Sequence, residues 1–228
     1  MTYENIYTKF MIEYDKANIT SSYPSLTEYE VATILDKAYL ALIGQKVSGN
    51  NIRRSTIESD VKSISDIQPL IKTKSFDLTD DDIISNRKYC KINGKNVDFL
   101  YFISATIARN DINVPVKLIT HESAQKFFET DYNKPWIKIP VCYIDNDTLY
   151  IIYENKENVS ISNLNLTYIK NPIKFVVDND NYNFSSNTDF ECNDSMAEEL
   201  ISLAVTFALE NVESSRLNNK LNTRGLEA

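Results

Sequence analysis

The stretch Trp136-Ile137-Lys138-Ile139-Pro140-Val141-Cys142-Tyr143-Ile144-Asp145-Asn146-Asp147-Thr148-Leu149-Tyr150-Ile151-Ile152-Tyr153 decides the fold class. Two arms rich in β-branched and aromatic residues flank Asp145-Asn146-Asp147, a three-residue connection of turn formers. The pattern predicts a β-hairpin, and with it a mainly antiparallel sheet. Upstream, Phe99-Leu100-Tyr101-Phe102-Ile103 is a continuous apolar run that reads as a buried strand. Val114–Ile119 reads as a second strand. A short helix from His121 to Phe128 follows, with Thr120 as its cap. Downstream, Leu164–Ile169 alternates apolar and polar residues, Pro172 closes it, and Ile173–Val177 continues extended. Residues 178–193 read as a polar loop.

Helical periodicity brackets this β region. Tyr3, Ile6, Tyr7, Phe10, Met11 and Tyr14 form one apolar stripe. Ser25-Leu26-Thr27-Glu28 has capping-box spacing before a second helix that Gly44 would end. Its apolar positions, Val31 to Ile43, cover so much of its circumference that burial against two partners is expected. A third helix over residues 52–64 would use Ile57, Val61 and Ile64 as its inner face. Near the end, Ser195-Met196-Ala197-Glu198 opens a long helix with two apolar stripes. One stripe holds Leu200, Leu203, Ala204 and Phe207; the other holds Ile201, Val205, Ala208 and Val212. One is expected to meet the chain's own core and the other a neighbouring chain. Beyond Glu213 the sequence is polar and reads as a flexible arm. In a helix, Arg216, Lys220 and Arg224 would share one face.

The class is therefore α+β. N-terminal helices occupy 1–68, a β-rich region with a short helix occupies 69–193, and the C-terminal helix and arm occupy 194–228, all in one integrated domain. The 228 residues carry 24 basic and 32 acidic side chains, a net charge of −8. That balance opposes gripping DNA through its phosphates. Only four glycines occur, too few and too scattered for a phosphate-cradling loop. No apolar run is long enough to span a bilayer, and the opening residues lack the pattern of a secretory signal. Cys90, Cys142 and Cys192 lie far apart and read as reduced core thiols.

Catalytic signals are weak. His121 is the single histidine and has no ligand-spaced partner, so it reads as a solvated helix-start residue. Asp178-Asn179-Asp180-Asn181-Tyr182-Asn183 departs from a calcium loop at Tyr182 and Asn183. Asp145 with Glu154-Asn155-Lys156 has the order of a restriction-type nuclease site, in which two carboxylates hold Mg²⁺ and the lysine helps activate water. Along a hairpin, however, Asp145 and Glu154 would stand tens of ångströms apart, at about 3.3 Å per residue. The run Phe99–Phe102 lacks the basic neighbours of a nucleic-acid stacking platform and reads as core. The expectation is no enzyme, with no catalytic, cofactor-binding or metal residues.

Two segments carry a resemblance. Leu166-Thr167-Tyr168-Ile169-Lys170-Asn171-Pro172 and the helix from Met196 to Arg216 resemble virion proteins of crAss-like, short-tailed bacteriophages. In those proteins a strand ending in a Tyr-Ile-Lys-x-Pro-like motif precedes a helix ending in Ala-Leu-Glu-Asn-x-Glu-x-x-Arg. The resemblance implies a structural head-to-tail connector or adaptor that forms a homo-oligomeric ring of twelve at the head–tail junction. It implies the portal and other tail ring proteins as partners, genomic DNA passing without specific binding, no membrane, and assembly in the host cytoplasm. The candidate interface is Leu200, Leu203, Val205, Phe207, Val212, Arg216, Lys220 and Arg224. A tail-tube or tail-hub ring, and the Mg-dependent nuclease, remain the alternatives.

Overall fold

The computed structural model describes residues 1–15, 25–49, 61–77, 83–84, 87–91, 98–109, 112–124, 139–146, 148–152, 161–176, 182–185, 188–212, 217 and 221. They form an α+β protein of two compact units. One unit combines both ends of the chain, Met1–Leu70 with Pro172–Ala228, and the other is Ile71–Asn171. Residues 172–193 group with the helices in the first unit. The helical unit carries 11 basic and 19 acidic residues, the β unit 13 of each, so the whole net charge lies in the helical unit.

The helical unit contains α1 (Tyr3–Asp15), α2 (Glu28–Ser48), α3 (Val61–Ile67) and α5 (Asp194–Asn211). The stripe on α1 is as expected: Tyr3, Ile6, Phe10 and Tyr14 are buried. The second helix is capped two residues later than the spacing suggested. Thr27, not Ser25, accepts from the Glu30 N–H, and the Glu30 carboxylate takes the Thr27 N–H at 2.7 Å, a reciprocal box that only this pair completes. Its end is Gly49 at φ 71°, five residues beyond Gly44, where the backbone turns left-handed. At α5, Asn193 is the cap instead of Ser195, accepting from the Met196 N–H at 2.8 Å.

Helix α5 packs against both α1 and α2. Leu200, Leu203 and Ala204 are buried, and so are Ile201, Val205 and Ala208 from the other stripe. Most of both stripes is thus covered within the chain, and Leu200, Leu203 and Val205 are core residues. Phe207 and Val212 are half-buried; the Lys37 ammonium lies 4.9 Å from the Phe207 ring centre. Helix α3 also turns a different face inward. Ser63, Asp66 and Ile67 are buried while Val61 is 83% exposed, because a charged side chain, Asp66, and not the apolar series, docks it.

The β unit is a mixed eight-stranded sheet: β1 (Ile71–Asp77), β2 (Ile83–Ile84), β3 (Arg87–Lys91), β4 (Phe99–Arg109), β5 (Ile112–Leu118), β6 (Val141–Asp145), β7 (Thr148–Ile152) and β8 (Ile161–Lys170). The order across it is β1-β8-β4-β5-β6-β7-β3-β2. All neighbours are antiparallel except β5 and β6. The hairpin at β6–β7 forms with a shorter connection than the three turn formers implied. Asp145 pairs directly with Thr148, and Asn146 between them takes φ 52°. That left-handed value is one asparagine tolerates better than most side chains. Strand β4 outruns its apolar stretch and reaches Arg109. Register shifts against β8 fall between Phe99 and Tyr101 and between Phe102 and Ser104, each inserting one β4 residue. The aromatic run therefore does not alternate cleanly: Tyr101 is exposed, Phe99 and Phe102 are half-buried, and Ala105 and Ile107 hold the deep positions. One apolar cluster joins Phe76, Ile107, Val114, Cys142, Leu149 and Leu166, strand residues alone, so the sheet curls over its own inner face. Burial pushes the Cys142 thiol up to about 12, as for a reduced core cysteine. A second, smaller cluster seats Ala124 of α4 (residues 121–124 of those described) against Val141, Tyr143 and Ile152. Thr120 caps that turn by accepting from the Ser123 N–H at 3.3 Å.

Leu200→Asp and Val205→Asp are each expected to unfold the monomer, since an unpaired carboxylate in this core costs several kcal/mol. Urea titration followed by circular dichroism checks it. A folded Val205→Asp monomer would return that stripe to the surface.

Candidate functional site

The densest polar grouping among the described residues lies where α2, α3 and α5 meet. Lys46 continues the apolar stripe of α2 one turn beyond Leu42 and Ile43, so helical geometry carries its ammonium inward. It is 6% exposed. Lys46 Nζ stands 2.6 Å from Asp66 Oδ2 and 2.7 Å from Glu199 Oε2. The remaining carboxylate oxygens are also engaged. Asp66 Oδ1 accepts from Asn193 Nδ2 at 2.6 Å, and Glu199 Oε1 pairs with Lys62 Nζ at 2.7 Å. Asn193 thus serves two helices with one side chain: its oxygen caps α5 and its amide nitrogen holds Asp66 on α3.

Burial by itself would push the Lys46 ammonium below its ordinary value. The hydrogen bonds and charges of Asp66 and Glu199 outweigh that penalty and leave it raised. Two ammoniums face two carboxylates, and all four carboxylate oxygens have partners. Such a set of mutually paired groups suits welding helices together.

A second polar grouping, also in the helical unit, holds the irregular segment after Pro172. Asp36 on α2 accepts the Phe175 N–H at 2.7 Å and the Val176 N–H at 3.2 Å. The Glu191 carboxylate accepts the Ile173 N–H at 2.8 Å, and the Tyr3 hydroxyl donates to the Ile173 carbonyl at 3.0 Å. Asn183 donates its side-chain amide to the Lys174 carbonyl. Desolvation raises the Asp36 carboxyl above its usual range despite the two amide donors and the nearby Lys174. Burial likewise raises the Tyr3 and Tyr39 hydroxyls, and Tyr39 Oη sits 3.3 Å from Cys192 Sγ.

Several of the residues singled out by sequence lie outside the described residues. His121 is exposed, its ring 5.4 Å from that of Tyr143. Asp145 is exposed at the end of the hairpin, while Glu154, Asn155 and Lys156 lie outside the described residues. Asp178 to Asn181 also lie outside them, and Tyr182 forms an isolated bridge with Val176. Arg216, Lys220 and Arg224 lie outside them too. Among the described residues no group of three or more His, Cys, Asp or Glu is placed to hold a metal ion. No described helix is long and apolar enough to cross a membrane. Sequence reasoning missed Lys46, Asp66, Asn193 and Glu199. The available signal was a lysine on an otherwise apolar stripe, which calls for a buried acid from elsewhere in the chain.

Lys46→Ala is expected to lose about 3–5 kcal/mol of stability, the usual result of stripping one partner from a buried ion pair. Chemical denaturation measures it, and a loss below about 1 kcal/mol would show an exposed pair. The pH dependence follows from the two shifts. The raised Lys46 value means its contribution is complete below the unfolded lysine pKa, about 10.4, and fades as pH rises through the higher folded value. The raised Asp36 value means protonation favours the fold, a contribution complete below about 3.9 and lost as pH rises from there. In Asp36→Asn, the corresponding slope of stability against pH in mild acid should disappear. No protein-family model and no curated protein matches the chain.

Proposed function

We propose that this chain is a structural, ring-forming subunit of the head-to-tail connector of a short-tailed bacteriophage. The observation that carries the reading is the resemblance of residues 166–172 and 196–216 to such virion proteins. The first segment forms the last half of β8 and the two residues after it; the second begins in α5. Both sit at well-buried places of their units: Leu166 and Ile169 are fully buried, as are Leu200 and Ala204. The charge distribution supports the same reading. A wall concentrated in acidic residues lowers the affinity of passing DNA, and the helical unit carries the entire net charge of −8.

Because most of both stripes of α5 is core, its ring contacts would come from its C-terminal end. Phe207 and Val212 are half-buried there, and Arg216, Lys220 and Arg224 follow at intervals of four. A basic segment after an acidic helical unit suits docking on the same acidic unit of a neighbour. Portal and tail ring proteins are the further partners in this reading, which places the chain in the virion at the head–tail junction.

Native mass spectrometry and electron microscopy of the purified chain, with its location in purified particles, test the proposal. The expected result is a closed ring, of about twelve chains if the resemblance holds, present at the junction. A chain that stays monomeric at all concentrations and is absent from particles would overturn it. Deletion of residues 217–228 should leave the monomer folded and abolish docking; unimpaired incorporation would remove the connecting role from that segment. Incubation with supercoiled DNA and Mg²⁺ should give no cleavage, and cleavage abolished by Glu154→Ala would establish the nuclease instead.

A further inference from the structure

We draw no further inference here: the strongest candidate, the outward apolar face of α3 formed by Val61 and Ile64 on the far side of the helix from Asp66, carries nothing, because nothing in the structure shows what covers it.

Discussion

A single buried ammonium constrains the helical unit more than any other group. Lys46 cannot remain charged at 6% exposure without compensation, and taking an ion out of water costs several kcal/mol even after the protein relaxes. The compensation comes from two other helices, Asp66 on α3 and Glu199 on α5. Neither carboxylate can move away without stranding the lysine. The pair therefore sets where α3 and the first turns of α5 sit against α2. Such a cluster adds little net stability over an apolar core of equal volume, but its demand for particular partners is specific. Seven-residue α3 shows the consequence. Too short to hold itself, it buries only Ser63, Asp66 and Ile67 and leaves Val61 in solvent.

The same logic recurs where the chain has no regular structure. Residues 173–176 have few ladder partners, yet their polar groups must be satisfied once they lie against the helices. Side chains supply what strands or helices would otherwise provide. Asp36 takes two amides, Glu191 a third, and Tyr3 and Asn183 meet two carbonyls. The raised Asp36 carboxyl marks the cost of this solution: two hydrogen bonds do not repay the water it has lost.

The β unit reaches burial by another route. Its large apolar cluster draws on strands from both halves of the sheet order, Phe76 of β1 through Leu149 of β7. A flat sheet would leave such residues far apart, so the sheet must curl. The bulges in β4 provide the local bending, and their effect is that Ala105 and Ile107, not the aromatic run before them, fill the deepest positions. On the opposite face of β1 and β8, Thr73 and Thr167 meet across the strands at 3.1 Å.

What the sequence determined by itself were the features that depend on near neighbours. The stripe on α1, the length of α5, the β6–β7 hairpin and the alternation of β8 all rest on contacts within one element or one turn. Periodicity reports those directly. Tertiary structure decided what depends on distant residues. Strand β1 has few large apolar side chains and exists as the partner of β8, Ile71 against Ile169, a pairing its local pattern does not announce. The caps moved to Thr27 and Asn193 because the first needs Glu30 in reach and the second also holds Asp66. The second stripe of α5 could face a neighbour or the chain's own core on amphipathicity alone; the packing of α1 and α2 on either side made it core. The buried cluster was half legible, since a lysine on an apolar stripe requires an acid. Which acids answer it, 20 and 153 residues further along, was settled only when three helices met, because charge pairing acts through space and not along the chain.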